Sequence, residues 1–218
     1  MPRRAVAAFA VALGLGVAFL VWRAGSIDST VAFPVGPGPT PVATIVPPRA
    51  EVCQTPIEVL ADTRAVEFWL RTSRPSAPLE VTVRDLRGRP LRRDRVTAAR
   101  GNPAPVSASF APIREGTSIA LCIRNVGSAP VAPSGGEQEA DAGTLIAGQR
   151  RGADLTLVFL RDRPRSDLGL VPTMFRRAAL FRFGWVGAWT FWVLAALVLL
   201  VVPALCAFAL ARAARDQD

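Results

Sequence analysis

Apolar positions fall along this chain in two regimes. At the ends they run unbroken: Ala5 to Trp22 is 18 residues without a charge, and Trp185 to Ala211 is 27. A helix rises about 1.5 Å per residue against a hydrocarbon core about 30 Å thick, so the second run spans with length to spare and the first is near the minimum. The pattern predicts membrane helices over residues 1–24 and 185–211. Between them the period changes to two. Val66, Phe68 and Leu70 alternate with Glu67, Trp69 and Arg71; Leu79, Val81 and Val83 with Glu80, Thr82 and Arg84; Ile119, Leu121 and Ile123 with Ala120, Cys122 and Arg124. Such alternation predicts strands with one buried face. LTLVFL at 155–160 is apolar on both faces and suits a central strand.

Turn signals separate these runs: RPSAP at 74–78, DLRGRP at 85–90, RGNPAP at 100–105, GSAP at 127–130, SGG at 134–136 and QRRGAD at 149–154. Short strands at this spacing, with no soluble helix between them, predict a mainly β fold. We expect an antiparallel β-sandwich, jelly-roll or Ig-like, over 50–163, flanked by the two transmembrane helices. FPVGPGPTPVATIVPP at 33–48 carries six prolines and two glycines, which predicts an extended spacer within a linker over 25–49. Leu170, Met174, Ala178, Phe181 and Trp185 recur with helical period, so 164–184 reads as an interfacial amphipathic segment.

Charge orients the chain. The net charge is +9, and all 26 basic residues are arginine. The segment between the helices is far longer than the roughly 60 residues over which loop charge decides topology. Arg3, Arg4, Arg212 and Arg215 on the short tails therefore decide, placing both termini and the 212–218 tail in the cytoplasm and the middle outside. A cleaved signal peptide ending near Ala24-Gly25-Ser26 is the alternative for the first run. Arg176, Arg177 and Arg182 then meet the outer interface together with Trp185, Trp189 and Trp192, an anchor in contact with membrane lipid. A phosphate-bearing lipid or glycan carrier is the sharper alternative for those arginines. Nothing accompanies the basic charge that would mark a nucleic-acid binder. In the first helix Ala8, Ala12 and Gly16, and Ala10, Gly14 and Ala18, recur every four residues. They offer a close-approach surface to the second helix or to a partner integral membrane protein.

Chemistry is constrained by what is missing. There is no histidine, so His-dependent triads are excluded and the commonest metal ligand is absent. No catalytic residues, metal or cofactor are expected. Of three cysteines, Cys206 lies in the second apolar run, while Cys53 and Cys122 fall in the middle segment, where an oxidising compartment allows a disulfide. Two buried free thiols are the alternative. Glu137, Glu139 and Asp141 read as a solvated acidic loop rather than a cation site. Glu67 and Glu80, taken as neighbours on adjacent strands, read as cross-strand ion pairs with Arg71 and Arg84 rather than as a glycosidase pair. Trp69, exposed between Glu67 and Arg71, is the candidate binding platform for a sugar ring or a partner protein.

The runs EVCQTPIEV, AVEFWLRTSRPSAPLEVTVRDLRGRPL, IALCIRNVGSAPV and PTMFRRAALFRFGWVGAWTFWVL resemble a group of poorly characterised bacterial cell-envelope proteins with a β-sandwich between two membrane helices. That group resembles proteins associated with surface glycan assembly. The resemblance implies a non-catalytic accessory or binding module in the envelope, with an envelope glycan among its partners. A glycan-active enzyme using Glu67, Glu80 or Asp85, or a sensor acting through a partner, are the alternatives.

Overall fold

In the computed structural model the alternating runs form strands that close on one apolar interior. The structure describes residues 2–36, 38, 42–137, 143–146, 149–151, 153–180 and 187–215. The chain divides into a β unit, Thr30–Pro164, and a helical unit, Met1–Ser29 with Arg165–Asp218.

The β unit is an antiparallel sandwich built around one bent hairpin. Strand β1 is Asp28–Val35, β2 Glu51–Glu58, β3 Thr63–Asp85, β4 Pro90–Ile113 and β5 Ser118–Asn125. Short strands follow: β6 Ala132–Pro133, β7 Gly135–Glu137, β8 Gly143–Ile146, β9 Gln149–Arg151 and β10 Ala153–Leu155, before the closing β11, Leu157–Ser166. The order β1-β11-β3-β5-β2-β8-β9 runs through β3, with β4 on its other edge. The first half of β3 pairs with β11, Phe68 opposite Leu157 and Val66 opposite Phe159. The second half pairs with β5, Val81 opposite Ile123 and Val83 opposite Leu121. One strand thus serves both layers, the corner device by which strands switch sheets in a sandwich.

The corner is where sequence signals predicted two turns. RPSAP and RGNPAP do not end strands: they lie within β3 and β4, where the register slips between Thr72 and Ser76 while Thr72 faces Gly101 and Ser76 faces Ala99. Proline and glycine mark a bulge there as readily as a turn, because proline removes a ladder donor and glycine frees the backbone conformation without either requiring the chain to reverse. Asp94 joins the two halves of β4, accepting a hydrogen bond from the Ser109 amide at 2.8 Å. DLRGRP is a true turn, with Gly88 at φ 82°.

Val66, Phe68 and Leu70 from one half of β3 and Leu79, Val81 and Val83 from the other share a single core with Ile119, Leu121, Ile123, Leu157 and Phe159. Residues read as the proline-rich spacer are in it too. Phe33 is 1% exposed and Val46 0%, and the Phe33 ring stacks on Phe159 with centroids 4.6 Å apart. Val42 and Val46 bridge to Ser134 and Val131. Gly36, at φ 79°, lies so close to the Leu155 carbonyl that a Cβ would collide with it. The spacer reading is therefore corrected: β1 begins two residues after the first helix ends, and the β unit extends from Thr30 rather than from residue 50. Proline forbids ladder donation only at its own nitrogen, leaving the residues between free to pack.

The helical unit contains α1 (Pro2–Ser26), α2 (Asp167–Leu180), α3 (Ala188–Ala196) and α4 (Val202–Arg215), with a wide π turn, Leu197–Val201, joining the last two. Two stretches, Ala7–Ser26 and Ala188–Ala213, are long and apolar enough to cross a membrane. α1 packs along α4, but a Cβ added at Gly14 or Gly16 would meet nothing within 4 Å. The small-residue stripe is thus not what brings α4 close. In α2, Phe175 packs against Phe191 and Trp192 of α3, at 5.5 and 5.0 Å between centroids, while Met174 from the predicted stripe is exposed.

Candidate functional site

The outward row of the first half of β3 is Glu67, Trp69 and Arg71, each half-buried, and it follows directly from the burial of Val66, Phe68 and Leu70 on the other face. On β4, Ser107 stands opposite Glu67 and Pro105 opposite Trp69; on β6, Ala132 stands opposite Arg71. The Ser107 hydroxyl donates to Glu67 Oε2 at 3.5 Å. Pairing with β11 stops at Phe68, and beyond it the Ser134 amide donates to the Trp69 carbonyl at 2.8 Å. The Trp69 ring thus has proline on one flank, a charged residue two positions away on either side, and part of its surface open.

A second feature lies further along the same strand, at the corner. A cleft of about 290 Å³ opens between residues 74–78 and the loop after β5, with Arg74, Ser76 and Ser128 as its polar lining and Ala77, Pro78, Gly127 and Ala129 as the rest. Among the described residues, none of those three polar side chains makes a hydrogen bond or ion pair. The loop is held by Asn125, which is fully buried: its amide donates to the Val46 and Ala129 carbonyls at 3.1 and 2.9 Å, and its Oδ1 accepts from the Gly127 amide at 3.0 Å. Sequence reading passed over Arg74, Ser76 and Ser128 because RPSAP and GSAP read as turns. The signal available was an arginine between serines inside a bulge, which means nothing until the loop after β5 is placed beside it.

The outer face of the other layer is charged. Glu80 faces Arg95 on β4 and Arg124 on β5, and Arg124 in turn faces Glu51 on β2. Glu80, 8% exposed, lies 3.6 and 3.7 Å from the Arg93 and Arg95 guanidinium groups, and Arg84 pairs with Glu51 at 2.7 Å. The predicted cross-strand pairing of Glu67 and Glu80 with Arg71 and Arg84 is not what Glu80 and Arg84 do: these partners take its place, because Glu67 and Glu80 belong to the two halves of one strand, in different layers. Asp85 accepts from the Arg87 and Arg89 amides and from Arg89 Nε at 2.7 Å, and those contacts with Arg89 hold its carboxyl below the usual range. The three carboxylates weighed for acid-base chemistry are held apart: Glu67 is hydrogen-bonded to Ser107 on the first half of β3, Glu80 is flanked by two arginines on the second half, and Asp85 is bound in the turn.

Cys53 and Cys122 stand directly opposite one another on β2 and β5 and are joined as a disulfide, with Cα atoms 4.0 Å apart. Glu51 places a carboxylate near these sulfurs, but bonded sulfurs offer no thiolate, so the trio is not a metal centre. Inside the β unit, Gln54 and Asp154 are buried at 2% and 3% exposure and hydrogen-bonded at 2.5 Å, and Gln54 Oε1 accepts from the Leu155 amide at 3.0 Å. Burial pushes the Asp154 carboxyl above its ordinary value, with the Gln54 amide opposing.

The interfacial residues separate. Trp189 is exposed and Trp192 packs on Phe175; Arg176 is exposed and Arg177 half-buried. Arg182 and Trp185 lie outside the described residues, as do Glu139, Asp141 and the side chain of Glu137. Cys206 is exposed on α4.

No family model matches the chain, and no curated protein matches it. Solved structures similar to it include two carbohydrate-binding modules. One is a family 6 carbohydrate-binding module whose binding sub-sites were dissected by crystallography and calorimetry, at 12% identity over 54% of this chain and 71% of that one, with a TM-score of 0.34. The other is the module CsCBM6-3 from Clostridium stercorarium in complex with cellobiose, at 12% identity over 64% of this chain and 95% of that one, with a TM-score of 0.36. Similarity this distant transfers no ligand, site or activity; what the chain itself establishes is an antiparallel β-sandwich with an apolar helix at each end.

Proposed function

We propose that the chain is a non-catalytic glycan-binding module held on the outer side of a bacterial cytoplasmic membrane by its two helices. The observation that carries this reading is Trp69: a half-buried indole on the outward row of a strand, flanked in that row by Glu67 and Arg71. An indole face takes the C–H face of a sugar while neighbouring charges and hydroxyls hydrogen-bond its rim. The Cys53–Cys122 bridge supports an oxidising, extracytoplasmic location, and arginines on the short tails support cytoplasmic termini. The resemblance to envelope proteins supports a place in surface glycan assembly beside an integral membrane partner. Arg176, Arg177, Arg182, Trp185, Trp189 and Trp192 serve as the lipid-facing anchor in this reading.

The test is binding of the full chain in nanodiscs to envelope glycan fragments. Trp69→Ala is expected to weaken capture by tenfold or more, about what one buried aromatic contact contributes, and to lower the unfolding midpoint only in part, as loss of a half-buried side chain does, leaving the β unit folded in the assay. Capture of every fragment unchanged in that variant would overturn the platform, and a reporter fused at residue 100 that is active only inside the cell would overturn the location.

A further inference from the structure

The corner cleft is a feature separate from the Trp69 row. Its polar lining is one guanidinium and two hydroxyls, from Arg74, Ser76 and Ser128, all without partners among the described residues. Neither segment that builds it, 72–78 or 125–131, contains an acidic residue. Elsewhere on the β unit, Arg64, Arg84, Arg89, Arg93 and Arg95 all sit against carboxylates. Arg74, lining a concavity, has no carboxylate beside it among the described residues. Its planar fork of donors matches the two oxygens of a carboxylate or phosphate, and serine hydroxyls add donors of adjustable direction.

The rest of the lining suits a small ring. Ala77, Pro78 and Ala129 present apolar surface, and the volume of about 290 Å³ falls just under the range of small-molecule sites, which run from about 300 Å³, as suits a single ring. Gly127 keeps the space open: a Cβ there would meet Pro78 Cδ at 3.1 Å and Asn125 Oδ1 at 3.3 Å. The loop is held in shape by the fully buried Asn125 rather than by any contact a ligand would supply, so little ordering cost falls on binding. The cleft also lies along the same two segments as the platform, since β3 runs from Trp69 to residue 78 and the chain from Gly127 leads into β6 beside Arg71.

We infer that the cleft is a subsite for an acidic sugar unit, one bearing a carboxylate or a phosphate ester, with Arg74 binding the anion and Ser76 and Ser128 its oxygens. The anion part stands on the cleft alone; the sugar part rests on the glycan-binding reading above.

The experiment is calorimetric titration of the full chain in nanodiscs with glucose, glucuronate, glucose 1-phosphate and inorganic phosphate. Glucuronate or glucose 1-phosphate is expected to bind about tenfold or more tightly than glucose, as one charge-assisted contact provides. Arg74→Gln, at an exposed position, should erase that preference while leaving the unfolding midpoint unchanged. Ser76→Ala with Ser128→Ala should reduce it. The relative strength of glucuronate and glucose 1-phosphate identifies the anion. Equal binding of glucose and both acidic sugars, or a preference that survives Arg74→Gln, overturns the subsite and leaves the platform standing. Inorganic phosphate binding as tightly as glucose 1-phosphate overturns the sugar part. An acidic preference that depends on Arg74, together with no effect of Trp69→Ala on any glycan, sustains the subsite and rejects the platform.

Discussion

Removing the Cys53–Cys122 bridge has a magnitude that follows from the fold. The cysteines are 69 residues apart in sequence, and between them the chain runs through β3, β4 and most of β5, so the bond closes a loop that contains the bent hairpin. On the chain-entropy account, a loop of that size restricts the unfolded state by about 4 kcal/mol. The folded state changes little when the bond opens, because backbone pairing already holds β2 against β5, with Val52 facing Ile123 and Ile57 facing Ile119. With a denaturant slope of roughly 2 kcal/mol per molar urea, the unfolding midpoint should fall by about 2 M. Pulse proteolysis of the full chain in nanodiscs, followed by gel analysis of the β unit, reads that midpoint in the oxidised protein, in the reduced protein and in a Cys53→Ala, Cys122→Ala variant. Reduction and double substitution should agree, since they share the loss of the cross-link. A shift below about 0.5 M in the reduced protein would refute the reasoning. It would mean that the unfolded β unit already holds β2 near β5, or that the sulfurs were never joined.

Other consequences are equally concrete. Phe33→Ala should cost about 3–5 kcal/mol, the usual range for emptying a buried aromatic site, whereas an extended spacer would tolerate it within about 0.5 kcal/mol; the same proteolysis assay decides. Asp154 is a carboxyl whose folded pKa is raised, so its contribution is fully present below the unfolded value near 4 and is lost as pH rises through the folded value. Asp154→Asn keeps an acceptor for Gln54 and should gain stability relative to wild type as pH rises from 4 to 7; a difference that does not change with pH would show that Asp154 is not the titrating group. Gly36→Ala should destabilise the β unit, because a Cβ there collides with the Leu155 carbonyl and φ is 79°; an unchanged midpoint would show that the β1 end does not rest on Leu155.

Much of the architecture was legible without coordinates because it depends on local period. Two long charge-free runs read as helices long and apolar enough to cross a membrane, which is how they fold. Alternation at Val66–Phe68–Leu70, Leu79–Val81–Val83 and Ile119–Leu121–Ile123 specifies a buried face whatever the strand order, and that same alternation puts Trp69 outward between Glu67 and Arg71. Cys53 and Cys122 were legible as a pair for a different reason: both fall in the segment between the apolar runs, where an oxidising compartment allows a bridge. Other features depended on what lies opposite. RPSAP and RGNPAP read as turns, yet they are matched bulges, because only the register of β3 against β4 shows that the two interruptions face each other. Phe33 and Val46 stood among prolines and looked solvated until β1 paired with β11 and the 42–46 stretch bridged to 131–134. Glu67 and Glu80 seemed neighbours until the bend put them in different layers. The cleft was invisible because its two sides, residues 74–78 and 127–129, are some fifty positions apart and neither carries a motif. Side-chain period is a property of one strand and so can be read from sequence. Which strand lies beside it, and where a strand bends to serve two layers, is set by how the whole apolar surface closes, and that only the tertiary structure decides.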